Sequence, residues 1–94
     1  MNSVYRIEYD EAALEDLLKL PKKIQQQLLK AISRLGESPR SGNIKQLKGY
    51  DKLFRLRSSD YRVVYTIEDD VIIVTIVAVG PRKDIYDLLK RRVD

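Results

Sequence analysis

Hydrophobic and polar residues alternate at the start of the chain. Tyr5, Ile7 and Tyr9 are each separated by one charged residue. A period of two is typical of a half-buried β-strand. The alternation therefore predicts a first strand over residues 3–9.

Two stretches with helical spacing of hydrophobic residues follow. Asp10 is suited to cap the first helix, Pro21 separates it from the second, and Gly36 and Pro39 are suited to end the second. The first apolar stripe is Leu14, Leu17 and Leu18, and the second is Ile24, Leu28, Ala31, Ile32 and Leu35. The pattern predicts a helical hairpin whose apolar side must cover a sheet.

The rest of the chain supplies the strands of that sheet. The predicted strands are NIKQLKG at 43–49, KLFRLR at 52–57, YRVVYTI at 61–67 and VIIVTIVAV at 71–79. Gly80 and Pro81 end the last strand, and a final helix over 83–93 points Ile85, Leu88, Leu89 and Val93 inward. The order β-α-α-β-β-β-β-α predicts one α+β domain over residues 1–94, with a mostly antiparallel twisted sheet. We expect the helices on one face of this sheet.

Arginines recur on one side of the predicted strands. Phe54 and Leu56 are suited to face the helices, so Arg55 and Arg57 should project from the opposite face. Arg62 opens the returning strand, Arg82 follows the last strand, and Tyr86 lies in the final helix. Strand pairing is expected to bring these side chains to one open face. The expected members are Arg55, Arg57, Arg62, Arg82 and Tyr86.

Composition narrows the possible chemistry. The 94 residues include no cysteine and no histidine, and hydrophobic residues make up 44%. The chain therefore has no disulfide, no thiolate nucleophile, and neither the commonest general base nor the commonest metal ligand. No apolar run is long enough for a signal peptide or a membrane span. We expect a cytoplasmic protein that uses no metal and no cofactor.

The net charge of +4 is concentrated in the middle of the chain. Residues 40–57 carry six basic residues against one acidic residue, whereas the flanking segments are nearly balanced. A local cationic surface attracts polyanions such as RNA. A solvated loop and a lysine-protected edge strand are the alternative interpretation of residues 40–50.

The segments LFRLRSSDYRVVYTI and VAVGPRKDIYDLLKR together resemble the RelE/ParE superfamily of toxins, and its RelE branch in particular. The resemblance extends over nearly the whole chain. It implies a fold related to small microbial ribonucleases and a ribosome-dependent endonuclease that cuts mRNA in the A site. It also implies a cognate RelB-like antitoxin as partner.

The resemblance assigns roles to individual residues. It implies a catalytic set of Arg55, Arg62, Arg82 and Tyr86, and contacts to RNA or the ribosome by Lys45, Lys48, Lys52, Arg57 and Lys83. Tyr86 is expected to stack on an mRNA base, with helix packing as the alternative. The chain departs from the family at Leu53, where relatives can carry a strand lysine. Leu53→Lys is therefore expected to raise the cleavage rate.

Metal-free RNA cleavage requires attack by the 2′-hydroxyl on the adjacent phosphorus. Arginines suit the charge that develops on phosphate, because guanidinium stays protonated and binds phosphate through two parallel hydrogen bonds. They are poor bases, so the general base is not identified. Two alternatives stay open: a ParE-like gyrase inhibitor of the same fold, and a weakly catalytic member that only binds RNA or an antitoxin.

Overall fold

Five strands and three α-helices follow one another along residues 4–92, the part of the chain that this computed structural model describes. Their order is the one that the hydrophobic pattern predicts. The elements are β1 (Arg6–Tyr9), α1 (Glu11–Leu18), α2 (Lys22–Ser33), β2 (Ile44–Gln46), β3 (Phe54–Ser58), β4 (Tyr61–Glu68), β5 (Ile73–Pro81) and α3 (Ile85–Arg92). Ser3 and Val93, predicted in the first strand and last helix, lie outside the described residues. No helix within 4–92 combines the length and apolar character needed to cross a membrane.

The strands form one sheet in the order β1-β5-β4-β3-β2. β1 pairs with β5 in parallel, and the other three pairings are antiparallel. The mostly antiparallel α+β architecture is therefore confirmed. The strand β5 lies inside the sheet, as its apolar residues on both faces predict.

The helical hairpin covers one face of the sheet. Leu28 and Ile32 of α2 pack with Val63, Tyr65 and Ile76, all almost fully buried. The Tyr65 hydroxyl donates a 2.6 Å hydrogen bond to the carbonyl of Pro39. Burial raises the pKa of this tyrosine. Tyr65 is therefore part of the core beneath the helical hairpin.

The predicted apolar stripe of α1 is only partly correct. Ala13 and Leu17 are buried, whereas Leu14 and Leu18 are 43% and 61% exposed. Residues four apart share a line along a helix, and the next residue lies about 100° round the axis. Only one of these two lines can face the sheet, and it is the line of Ala13 and Leu17.

Helix α3 packs on the opposite face of the sheet, so the expectation that all helices share one face is wrong. Ile85 and Leu89 are fully buried in a second apolar cluster with Leu53, Val64 and Ala78. The central strands carry apolar side chains on both faces. The second face therefore needs its own cover, and α3 provides it.

An ion pair fastens the end of α3 to the body of the domain. Arg92 donates two hydrogen bonds of 2.6 Å to the carboxylate of Asp16 in α1. The same two side chains also form hydrogen bonds with the backbone of β5. Asp16 accepts one from the Val79 N–H, and Arg92 donates one to the Val77 carbonyl. Val77 is the extra residue of a β-bulge, because Val64 pairs with Ala78 and Tyr65 with Ile76. We call this arrangement the Asp16–Arg92 clamp.

Glycine is needed at position 36 because the backbone of Tyr5 approaches it closely. It does not end the helix in a left-handed conformation. Helix α2 is followed by a 3₁₀ turn over Arg34–Gly36. The Gly36 carbonyl accepts a 2.6 Å hydrogen bond from the Tyr5 N–H. A Cβ at Gly36 would lie 3.1 Å from the Tyr5 carbonyl oxygen, so a larger residue would push β1 away from this turn.

Candidate active site

Strand register brings three of the predicted arginines to one face of the sheet. Arg57 of β3 pairs directly with Arg62 of β4, and Arg62 pairs with Gly80 of β5. Arg55 alternates with Leu56, which is buried under the helical hairpin, so Arg55 lies on the α3 side. The predicted faces of strand β3 are therefore confirmed.

Arg82 follows β5 and lies beside the turn between β3 and β4. Its N–H donates a 2.8 Å hydrogen bond to the Asp60 carbonyl. The side chain is exposed and lines a cavity of about 430 Å³ together with Asp60, Pro81 and Lys83. We call Arg55, Arg57, Arg62 and Arg82 the cationic cluster.

Arg62 lies at the centre of the cationic cluster and is held in place by the backbone. Only 7% of this residue is exposed. Its NH1 group donates to the carbonyls of Ser59 and Tyr61, at 3.0 and 2.9 Å. Ser59 has a φ of 57°, so the turn adopts a left-handed conformation that these hydrogen bonds stabilise. The guanidinium is therefore fixed before any ligand arrives.

No member of the cationic cluster forms an ion pair with an acidic side chain among residues 4–92. Burial lowers the pKa of Arg62, and the charges of Arg55, Arg82 and Arg57 lower it further, with Tyr86 acting in the opposite sense. The ion pairs within residues 4–92 involve other arginines, namely Arg6, Arg40 and Arg92. An anion that enters this face would relieve the repulsion between like charges.

Arg55 and Tyr86 line a second cavity, of about 340 Å³, which we call the tyrosine pocket. Lys45, Lys48 and Tyr50 also line it. The Arg55 Nε atom is buried and has no hydrogen-bond partner among the described residues. Tyr86 is 46% exposed, so it does not serve mainly to pack α3. The pocket therefore offers two aromatic rings, two lysines and a buried donor to one ligand.

The remaining predicted contact residues are distributed unevenly. Arg57 is exposed at the end of β3, and Lys83 lies beside Arg82. Lys52 is exposed in the turn before β3 and lines neither of these two cavities. The structure therefore brings Lys45, Lys48 and Lys83 to the site and leaves Lys52 outside its cavities. Within 4–92, no three acidic side chains come together as metal ligands would.

Arg40 contributes less to the cationic middle segment than the sequence implies. It donates two hydrogen bonds to Asp69, at 3.2 and 2.8 Å, and Tyr5 donates a third to the same carboxylate at 2.6 Å. Hydrogen bonds from Arg40 and Tyr5 lower the pKa of Asp69. The guanidinium also lies 5.6 Å from the ring centre of Phe54. Arg40 therefore anchors a loop and is not part of the site.

Leu53 is a core residue beneath α3, not a vacant catalytic position. It is 7% exposed and belongs to the second apolar cluster. Leu53→Lys would place an ammonium group among apolar side chains. We now expect this variant to lose about 2–4 kcal/mol of unfolding free energy, measured by urea denaturation, with the exposed Lys52→Ala as control. Parental stability with faster cleavage would instead support the expectation drawn from the resemblance.

Comparison with families of known proteins gives a match over most of the chain. The model of the family described as ParE toxin of type II toxin-antitoxin system, parDE, matches residues 7–86. A RelE-like toxin protein of Escherichia coli is 36% identical over 92 residues, which cover 94% of this chain and 96% of the relative. The mRNA interferase toxin RelE of E. coli is 33% identical over 93 residues, covering 95% and 97%.

Solved structures of RelE toxins have the same fold as this chain. A double mutant of E. coli toxin RelE in the free state superposes with a TM-score of 0.76 at 32% identity, covering 97% of this chain and 99% of that one. The toxin–antitoxin complex RelBE2 from Mycobacterium tuberculosis gives a TM-score of 0.75 at 29% identity, covering 84% and 99%. The chain therefore belongs to the ParE toxin family of type II toxin–antitoxin systems, and it is a RelE-like toxin.

Proposed function

We propose that this toxin is a ribosome-dependent, metal-independent endoribonuclease that cuts mRNA in the A site and so halts translation. The observation that carries the proposal is the cationic cluster, in which arginines from β3, β4 and the end of β5 meet without acidic partners among residues 4–92. Such a cluster is complementary to a phosphate that gains charge during cleavage. A relative that is 33% identical is named an mRNA interferase.

The proposed roles follow from how each arginine is held. Arg62 is nearly buried and tied to two carbonyls, so it supplies a fixed charge to the phosphorane at little reorganisation cost. Arg55 has a free buried Nε at the edge of the tyrosine pocket, where it can bind a phosphate oxygen. Arg82 is exposed and can neutralise the charge on the leaving 5′-oxygen.

The cationic cluster provides charge but no good base at neutral pH. Arginine keeps its proton, and Leu53 offers no titratable group. We therefore expect cleavage to depend on the ribosome, because alignment of the 2′-hydroxyl with the scissile bond can by itself supply a large part of the rate. The chain should bind free RNA but cleave it slowly.

Tyr86 is proposed to stack on a base of the mRNA. Tyr86→Ala should lower the single-turnover cleavage rate on ribosomes by roughly 10-fold to 100-fold, since base–aromatic stacking contributes about 1–3 kcal/mol. Tyr86→Phe keeps the ring and should retain most of the rate. If the alanine variant cuts as fast as the parent protein, the stacking role is excluded.

The experiment that tests the function is induction of the protein in cells, followed by mapping of mRNA 5′ ends on ribosomes. Cuts in phase with codons are the expected result. The ParE description of the matching family keeps a gyrase-inhibiting toxin as the second candidate. That function would give DNA-damage signalling without cuts, and absence of any growth effect would contradict both.

We further propose a RelB-like antitoxin as the partner of this toxin, in the cytoplasm. Structural relatives include toxin–antitoxin complexes from M. tuberculosis and E. coli. The cationic cluster that suits RNA also suits an acidic, partly disordered segment that folds on binding. Harmless expression of the chain alone, with no such gene beside its own, would contradict this partner.

A further inference from the structure

One turn joins two members of the cationic cluster. It consists of Ser59 and Asp60, the two residues between β3 and β4, and we call it the β3–β4 turn. The Ser59 carbonyl accepts a 3.0 Å hydrogen bond from the Arg62 guanidinium, and the Asp60 carbonyl accepts a 2.8 Å hydrogen bond from the Arg82 N–H. The turn therefore holds the side chain of Arg62 and the backbone of Arg82. A change in its conformation would displace both cations.

The β3–β4 turn adopts a backbone conformation that is unfavourable for its own sequence. Ser59 has a φ of 57°, in the left-handed region that glycine occupies readily and serine does not. Such a conformation persists where surrounding contacts hold it. On the α3 side of the sheet, the hydrogen bonds from Arg62 provide one such contact. Because Arg62 is also the group to be positioned, the turn needs a support that does not depend on it.

Helix α2 supports the turn from the opposite side of the sheet. Gln27 Nε2 donates a 3.1 Å hydrogen bond to the Oγ of Ser58, the residue that immediately precedes the turn. Ser58 alternates with Arg57 and pairs with Tyr61, whose side chain packs against the core beneath the helical hairpin. The Ser58 hydroxyl therefore lies on the hairpin side of the sheet, whereas Arg57 lies on the α3 side.

The hydrogen bond from Gln27 starts from a fixed point in the fold. Gln27 and Ser58 are both half-buried, so water competes weakly for their contact. The next residue of α2, Leu28, is fully buried and belongs to the same core cluster as Val63 of β4. This packing holds α2 against the sheet. The roles proposed above use neither Gln27 nor Ser58.

We propose that Gln27 is a positioning residue of the cleavage site, acting through Ser58 and the β3–β4 turn on the Arg62 guanidinium. Its hydrogen bond holds the turn in the conformation whose carbonyls orient Arg62 and locate Arg82. Gln27 does not touch the RNA, because it lies on the other side of the sheet from the cationic cluster. The inference rests on the proposed function for the reaction that the positioning serves, whereas the order of Arg62 is a property of the free protein.

The first arm of the test measures the order of the Arg62 side chain in the free protein, by NMR relaxation of its Nε–H group. Gln27→Ala should lower the order parameter from about 0.85, a value typical of rigid groups, to below about 0.6. Ser58→Ala removes the acceptor and should have the same effect. Gln26→Ala, at an exposed neighbouring position of α2, is the matched control and should leave Arg62 ordered.

The second arm measures single-turnover cleavage on programmed ribosomes. Gln27→Ala should lower the maximal rate about 3-fold to 10-fold, the effect of losing one hydrogen bond. The ribosome–mRNA concentration that gives half-maximal cleavage should not change, since the cationic cluster keeps all its charges. Ser58→Thr retains the hydroxyl and should keep the parental rate. The double variant of Gln27→Ala with Ser58→Ala should be no slower than either single variant.

Two outcomes would overturn the positioning role. One is an Arg62 order parameter that stays at the parental value in Gln27→Ala, whatever happens to the rate. The other is a Gln27→Ala rate equal to that of Gln26→Ala, and a lower thermal midpoint would then show that the hydrogen bond only stabilises the fold. If the parent protein does not cut mRNA but Gln27→Ala still lowers the order of Arg62, the proposed function is overturned and the control of Arg62 by Gln27 stands.

Discussion

Arg62→Ala should lower the single-turnover cleavage rate on ribosomes by roughly 100-fold to 1000-fold, the usual effect of removing one preorganised charge from a transition state. Arg62 is the member of the cationic cluster that the other arginines surround, and its side chain is fixed by two backbone carbonyls. A replacement at this position removes charge that is already in place before substrate binds. The rate is measured with programmed ribosomes in excess over the toxin.

Arg62 also supports the turn at Ser59, so the effect on catalysis must be separated from an effect on folding. Arg82→Ala serves this purpose, because Arg82 is exposed and its side chain forms no hydrogen bond within residues 4–92. It should cut more slowly with an unchanged thermal midpoint. Arg6→Ala, at the far edge of the sheet, is the control for loss of an exposed arginine. If Arg62→Ala and Arg82→Ala both cleave mRNA as fast as the parent protein, a catalytic role for the cationic cluster is excluded.

Asp16→Ala should destabilise the domain by about 2–4 kcal/mol, because it removes the carboxylate that accepts hydrogen bonds from the Arg92 guanidinium and the Val79 N–H. The Asp16 and Arg92 side chains are only 11% and 22% exposed, so water replaces the lost contacts incompletely. For a domain of this size the loss corresponds to a fall of about 10–25 °C in Tm. Calorimetry or thermal circular dichroism measures it directly.

A double-mutant cycle shows whether the loss belongs to the Asp16–Arg92 clamp. Asp16→Ala, Arg92→Ala and the double variant should be strongly non-additive, since either single change already breaks the pair. Glu15→Ala removes an exposed acid from the neighbouring position of α1 and should leave Tm nearly unchanged. Additive losses, or a Tm within a degree or two of the parent in Asp16→Ala, would show that the clamp contributes little.

The faces of strand β3 could be predicted from the sequence because they depend on neighbouring residues alone. Alternation of Phe54 and Leu56 with Arg55 and Arg57 fixes which side chains face the helical hairpin. Convergence with Arg62 follows once the hairpin closes at the two-residue turn of Ser59 and Asp60. The position of Tyr86 just after β5 predicts that it lies near the same face, and the resemblance to RelE toxins implies its role there.

Other features depend on contacts between distant parts of the chain. Asp16 and Arg92 are 76 residues apart, and nothing in either local pattern links them. The sequence does not distinguish Arg40 from the other basic residues, because only the fold places it beside Asp69. The position of α3 could have been inferred: β4 and β5 are apolar on both faces, so one face lacked a cover after the hairpin was placed. Leu53 belongs to that second face, which explains why this position is apolar.

The parallel pairing of β1 with β5 joins the beginning of the chain to a strand that ends at residue 81. Because β5 also lies between β1 and β4, the sheet cannot close until most of the polypeptide has been synthesised. Contacts between residues so far apart in sequence slow folding. Arg82 and Tyr86 come after β5, so the surface proposed to bind RNA is incomplete until β5 has taken its place between β1 and β4.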